Sequence, residues 1–472
     1  MSPRGEAVNV QGARDRLTRF AWPGPLVSTL DRLAAGGHQA WLVGGTVRDV
    51  LLGRTPGGAF DVATDLAPER VIERFARVEP IGLVHGTVLV LEDGLEIECT
   101  TFRREAAYRD ARHPDSVEFT RDLDEDLARR DLTVNAMAFD PRSGDWRDPY
   151  HGLADLEAGV LRAVGDPLAR FREDGLRPLR VARFTATLEM EAEPETRAAL
   201  AGARDRSALV APERVRGELE RLLGAREPSR GFELLHEAGL LDLWLPELEA
   251  AFGVPQNRFH AYDVYTHSLR TCDAAPADKP RVRWAALLHD LGKPATRVVR
   301  DGDGTFYGHE NVGAELADAR LAALRLPNDE RNAIVHLVRH HMFDYRSTWS
   351  DAALRRWLRR VTLDAVADLF DLRLADVVGN GTRFGFPHQL EEMRMRIEAL
   401  LAADHALSVA DLAIDGADVM RFLRIGPGPR VGEALSALLE DVLDHPEWNE
   451  RATLLERLAE RRANAPEAPP TP

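Results

Sequence analysis

The chain has 472 residues, 61 basic against 77 acidic side chains, a formal charge of −16 and 44% hydrophobic residues. That share is too apolar for a mostly disordered polymer, the length allows about three domains, and no run of roughly 18 apolar residues offers a transmembrane helix. Two cysteines, Cys99 and Cys272, exclude a disulfide scaffold or a multi-cysteine zinc site, and the opening MSPRGEAVNVQGARDRL lacks the apolar stretch of a secretory signal, which points to the cytoplasm.

Up to about residue 150, strand-like runs such as QAWLV, GTVLVLE and EIECTTF alternate with short helical stretches. Beyond it, Gly and Pro separate one amphipathic helix after another, from DPLARFREDGLRPLRVARFTA through PERVRGELERLL, GFELLHEAGLLDLW and RVRWAALLHDLG to AVADLFDLRLADVV and VGEALSALLEDVL. The pattern predicts an α+β N-terminal head, a mixed sheet with helices, over 20–148, followed by an all-α remainder. The proline-rich NAPEAPPTP, 464–472, should be disordered. Of the 61 basic residues only Lys279 and Lys293 are lysines. A guanidinium fork suits phosphate oxygens, although a GC-rich genome gives the same bias. The acidic balance argues against a surface that is basic throughout but leaves room for a local patch that binds nucleic acid.

In WLVGGTVRDVLLGR, 41–54, a strand meets Gly44-Gly45 and then a helix. Glycine lets backbone amides approach a ligand, the helix N-terminus favours an anion, and Arg48 lies one turn in. Next come AFDVATD (59–65), LEIECTTFR (95–103), EDLARRDLTVNAMAFDP (125–141), EDGLRPLRVARF (173–184), PERVRGEL (212–219) and DLAIDGADVM followed by GPGP (411–429). In this order the motifs resemble the family of class II tRNA nucleotidyltransferases (CCA-adding enzymes) and bacterial poly(A) polymerases, over nearly the whole chain.

The resemblance implies an Asp-x-Asp pair and a third carboxylate holding two Mg2+ ions. Residues i and i+2 of a strand share a face about 6.6 Å apart, so such a pair can converge on ions. Asp61 matches the second carboxylate and Glu98 the third, whereas the first position holds Ala59. Asp65 shares Asp61's strand face but lies roughly 13 Å away, too far to substitute. Transfer is therefore expected to be impaired.

The family's EDxxR segment reads the base of CTP or ATP, which assigns that role to Asp174 and Arg177. A spacing of three would put both on one helix face, which Arg180 and Arg183 extend. Arg129, Arg130 and Asn135 match positions near the nucleotide's sugar and triphosphate, with Asp131 a candidate anchor for the two arginines. TTFRREAAYRD resembles the family's flexible loop, followed by His113 in DARHPD, and it is not visibly short.

A second constellation, His267 in VYTHSLR, His289-Asp290 in WAALLHDLGKP and Asp376 in LRLADVVGN, resembles an HD-domain phosphohydrolase. Mixed imidazole and carboxylate ligands suit a divalent transition metal such as Ni2+ or Mn2+, or Mg2+, better than structural zinc. His309 and His340-His341 match positions some HD proteins use for a second metal, and Lys293 is expected near the bound phosphate. The implied layout is a head (palm) at 20–148, a helical neck with the base-reading motif at 149–225, a body with the HD domain at 226–400 and an RNA-binding tail at 401–463. The implied function is template-free addition of C and/or A to tRNA, with an appended phosphatase or 2′,3′-cyclic phosphodiesterase. The implied partners are tRNA, CTP and ATP, with no membrane and the oligomeric state open. A poly(A) polymerase, or an HD hydrolase with a weakened RNA-binding head, remain as alternatives.

Overall fold

Alternating apolar residues in the N-terminal stretch build one mixed sheet. Its strands are β1 (Ala40–Val43), β2 (Phe60–Thr64), β3 (Val78–Gly82), β4 (Thr87–Glu92), β5 (Leu95–Thr101), β6 (Ala138–Asp140) and β7 (Asp145–Arg147), in the spatial order β3-β4-β5-β2-β1-β6-β7. The fully buried Leu42, Val88, Val90, Ile97 and Phe139 supply its core. β2 and β5 run parallel, with Asp61 beside Glu98 in register. This computed structural model describes residues 10–105, 117–258, 260–300, 303–382, 388–403 and 407–463. Of TTFRREAAYRD, the described part is mostly strand, with Arg103–Glu105 paired to Val117–Phe119, while residues 106–116, with His113, and 464–472 lie outside the described residues.

The chain divides into two compact units: the N-terminus through Ala250 with Arg320–Leu326, and Ala251–Ala319 with everything from Pro327 onward. In the first unit, α1 (Gly44–Leu51) follows β1 directly, and α2 (Leu123–Ala128), α3 (Pro167–Glu173), α4 (Arg177–Thr187) and α5 (Pro212–Leu223) come after. One expected helix is two. The chain leaves helical geometry at the extended Asp174 and restarts with Pro178 in the first turn of α4, and the Arg206 backbone passes so close to Gly175 that a Cβ there would fall on its carbonyl.

The second unit contains α6 (Val264–Ala274), α7 (Pro280–Leu288), α8 (His309–Ala323) as far as Ala319, α9 (Asn328–His340) and α10 (Val366–Gly379). α6 and α10 touch closely, since a Cβ on Gly379 would meet the Thr271 side chain. Towards the C-terminus, Gly416–Leu423, Pro429–Asp444 and Arg451–Ala463 pack around Leu438, Leu439 and Leu454. Short ribbons, Val160–Leu161 with Glu191–Ala192 and Val298–Arg300 with Asp303–Thr305, interrupt the otherwise helical remainder. No described helix is long and apolar enough to cross a membrane.

Candidate active site and metal centre

The β1–α1 junction is built around its glycines. Gly44 sits at φ +60°, and a Cβ there would lie 2.9 Å from an Arg130 nitrogen and 3.0 Å from Asp61 Oδ2. The Gly45 amide donates to Asp61 Oδ2 at 3.0 Å, and the Asp61 amide donates to Thr46 Oγ1 at 2.8 Å. Asp61 and Glu98 thus stand side by side on neighbouring strands at this bend, in the wall of one cavity of about 560 Å³. Burial raises the Asp61 carboxyl above its ordinary range even though Arg130 opposes it, and burial with the nearby Asp61 charge raises Glu98. Two crowded, partly desolvated carboxylates whose charges are under-compensated form a cation-seeking pair. Ala59, half-buried in the bend before β2, offers no ligand. Asp65 does not replace it: its Oδ1 accepts from the Gln39 amide at 2.8 Å and lies 3.1 Å from His38.

Nine arginines and four carboxylates line that cavity, which gives it a cationic lining. Arg48 donates to Asn135 Oδ1 at 2.6 Å and is also bonded to Asp49, so part of its fork is already engaged. The expected anchor of the arginine pair is corrected. Buried Asp126, one helical turn earlier, lies 2.8 Å from Arg129 and 3.3 Å from Arg130, and the two guanidiniums outweigh burial to lower its carboxyl. Asp131 instead accepts from Arg180 Nε at 2.7 Å and from the Asn135 amide at 3.0 Å. Burial pulls Arg183 down to about 10, although Glu218 lies only 2.9 Å away.

Asp174 and Arg177 both face the cavity, but from the α3–α4 junction rather than from one helix face. Arg214 grips Asp174 with two bonds, 3.1 and 2.7 Å, so the carboxylate is held by a residue 40 positions away. Arg177 donates to the carbonyls of Arg170 at 2.8 Å and Arg129 at 2.9 Å. Arg214 and Arg221 are cavity residues the motif reading passed over, although both lie in or just after PERVRGEL.

In the second unit, Asp290 is the hub. Its Oδ2 lies 3.3 Å from His267 Nε2 and 3.1 Å from His289 Nε2, while its Oδ1 lies 3.3 Å from His309 Nε2 and 3.9 Å from His341 Nε2. Asp376 Oδ1 adds a contact of 3.3 Å to His267. Three of these imidazoles are held alike: Nδ1 of His289, His309 and His341 meets the carbonyl three residues earlier, at 2.8, 2.8 and 2.7 Å. Donation from Nδ1 leaves each Nε2 a bare acceptor. His309 Nε2 and His341 Nε2 then face each other at 3.3 Å with lone pairs only, an arrangement a cation satisfies. Burial opposes charge on His267, yet its bonds to Asp290 and Asp376 outweigh it and raise the ring to about 9. A positive charge is thereby favoured where a metal ion would sit. His340, one residue from His341, is not part of the group and meets His336 edge-on, with ring centroids 4.5 Å apart. Lys293 is tied to Asp290 Oδ2 and Gln256 Oε1, each at 2.6 Å.

Three family models match in succession: the poly A polymerase head domain over residues 40–162, the probable RNA and SrmB-binding site of polymerase A over 189–252, and the HD domain over 259–404. The A-adding tRNA nucleotidyltransferase of Deinococcus radiodurans is 39% identical over 346 residues, 69% of this chain and 76% of that one. The CCA-adding enzyme of Streptococcus gordonii is 32% identical over 88% of this chain and 92% of its own. The chain belongs to the CCA-adding enzyme family of nucleotidyltransferases. The crystal structure of the Bacillus stearothermophilus CCA-adding enzyme in complex with CTP superposes with a TM-score of 0.72, at 29% identity, over 93% of this chain and 98% of that one. Within this CCA-adding enzyme family member, the donors fit the implied metals unequally. The HD centre presents two complete His-His-Asp groups that share Asp290. The head presents two carboxylates where the family motif calls for three.

Proposed function

We propose that the head transfers C and/or A residues from CTP and ATP to the 3′ end of tRNA, and that the HD centre hydrolyses phosphoesters. The transfer reading rests on one observation above all, the Asp61–Glu98 pair at the Gly44-Gly45 bend, beside an arginine-lined cavity. Asp61 and Glu98 would hold Mg2+, which when bound polarises the attacking hydroxyl and the leaving pyrophosphate. The arginines neutralise the triphosphate, the bend brings a backbone amide close to it, and Arg214 turns Asp174 so that it and Arg177 can meet a base edge. Ala59 leaves the ion pair short of one ligand, so transfer is weakened but not lost.

The test is extension of tRNA lacking its 3′ CCA, with labelled CTP and ATP, by wild type, Glu98→Gln and Ala59→Asp. Addition of one to three residues, lost in Glu98→Gln, supports the reading. Long A tails would indicate a poly(A) polymerase, and no addition even by Ala59→Asp would overturn transfer altogether. Ala59 also favours a second reading, an HD hydrolase whose head only binds RNA, and that reading gains if hydrolysis is robust while transfer is absent. In the HD centre, His267, His289 and Asp376 on one side of Asp290, and His309 and His341 on the other, would hold Ni2+, Mn2+ or Mg2+ ions. Such ions supply a nucleophile from water at neutral pH. Lys293 is placed to neutralise phosphate charge. Hydrolysis of a 2′,3′-cyclic nucleotide that is lost with a chelator and restored by Mn2+ or Ni2+ would support this activity, and chelator-resistant hydrolysis would refute it.

A further inference from the structure

The ribbon Val298–Arg300 with Asp303–Thr305 leads into two aromatic residues of the HD cavity, Phe306 and Tyr307, three and two residues before His309. Phe306 is buried, and its carbonyl lies 2.8 Å from His309 Nδ1. Tyr307 is 80% exposed, yet it lines the same cavity of about 360 Å³ as Asp290. Met342, next after His341, is 54% exposed and lines it too, as does Val377, next after Asp376. An isolated exposed aromatic carries no meaning. Here, however, residues within two positions of three separate metal-ligand positions all present apolar groups to one cavity, while its cations, Lys293 and Arg373, are bonded to Asp290 at 2.6 Å and Asp376 at 2.7 Å.

We propose that Tyr307 and Met342 form a shelf for a nucleobase, so that this centre selects nucleotide phosphoesters over base-free ones. The proposal deepens the hydrolase reading above and rests on it. A base-free phosphate would satisfy the cationic and metal-ligand side and leave the apolar side against water or charged oxygens. A nucleotide instead lays a flat π-face there, against a phenol ring and a polarisable sulfur. With a 2′,3′-cyclic phosphate, water adds to phosphorus, one P–O ribose bond breaks, and the freed ribose oxygen leaves with a proton. The base remains on the shelf throughout.

The experiment compares kcat/KM of the full chain, with Mn2+, for adenosine 2′,3′-cyclic phosphate and for the methyl riboside 2′,3′-cyclic phosphate, which lacks a base. Wild type should prefer the nucleotide, and Tyr307→Ala should cut that preference about tenfold through KM, one base-stacking contact being worth roughly 1.4 kcal/mol. Tyr307→Phe should keep it. Equal rates on both esters in wild type, or an undiminished preference in Tyr307→Ala, would overturn the shelf. If neither ester is hydrolysed, the hydrolase reading itself fails, and binding decides the shelf instead. Adenosine 2′-phosphate binding at the HD centre, taken as the part that is lost in His289→Ala/Asp290→Ala, should be about tenfold weaker when Tyr307→Ala is introduced, and equal binding would overturn the proposal.

Discussion

Replacing Ala59 by aspartate should have opposite effects with and without divalent metal. Ala59 precedes Asp61 by two residues in the bend that leads into β2, so its Cα stands within about 7 Å of that of Asp61. Burial already raises the carboxyls of both Asp61 and Glu98. A third carboxylate at that distance adds roughly 2.5 kcal/mol of repulsion at an effective dielectric of ~20, and about 0.6 kcal/mol at ~80. In EDTA at pH 8 the variant should therefore melt below wild type by about 1–5 °C. In millimolar Mg2+ the order should reverse, because a third ligand that tightens the ion about a hundredfold stabilises the folded state by roughly 2.7 kcal/mol. The rate of nucleotide addition should rise by a similar factor, on the order of 10². Differential scanning fluorimetry in the two buffers and labelled ATP incorporation read both effects. The same melting order in both buffers, or a wild type already as fast as the variant, would refute the argument.

Asp126→Ala strips a fully buried carboxylate from Arg129 and Arg130 and should cost about 3–5 kcal/mol, read as a shift in the urea midpoint. Arg214→Ala breaks a partly exposed pair worth about 0–1 kcal/mol, so it should leave the midpoint nearly unchanged while raising the KM for ATP and altering the CTP-to-ATP ratio; equal effects on both nucleotides would argue against a base-reading role for Asp174. In the metal-free protein two histidine effects oppose each other. His341, held neutral down to about 3 by burial, stabilises above its unfolded value of ~6.5, and that contribution is lost as pH falls through the window toward 3. His267, raised to about 9 by its carboxylate partners despite burial, stabilises below ~6.5 and loses that contribution as pH rises through 9. Urea midpoints in EDTA should therefore peak near pH 6.5, and a steady rise from pH 4 to 9 would contradict the assignments. The double variant His289→Ala/Asp290→Ala should abolish phosphoester hydrolysis while nucleotide addition stays within about twofold, and a parallel loss of both activities would mean that the two centres are not independent.

How much of this could be read from the sequence depended on whether each partner lay within one local period. The Asp61 face and the Gly44-Gly45 bend follow from alternation and glycine geometry, and the motif order supplied Glu98 as the strand neighbour. The anchor of Arg129 and Arg130 was legible but misassigned: Asp126 stands three and four residues before them, the spacing that brings helix side chains together, whereas the adjacent Asp131 points to Arg180 instead. The break at Asp174 was legible in Gly175 and in Pro178, which sits in the first turn of the next helix, but the Arg214 clamp on Asp174 is non-local and was not. Among the histidines the local rule works once it is stated physically. A ligand histidine near a helix end can donate Nδ1 to the carbonyl three residues back and thereby point Nε2 outward, as His289, His309 and His341 do. His340 has its ring committed to His336 one turn earlier, and that i,i+4 contact separates the bystander from the ligand in HH. What no local rule supplies is the convergence of all four Nε2 atoms on Asp290, because it needs α6, the end of α7, α8 and the end of α9 at once. That dependence makes the packing of α6 against α10 part of the metal chemistry. A bulkier residue at Gly379 would strike Thr271 and move His267, one turn away, so Gly379→Val should weaken metal binding without changing any ligand. Unchanged Mn2+ affinity by calorimetry in a folded Gly379→Val protein would show that the centre tolerates such a shift.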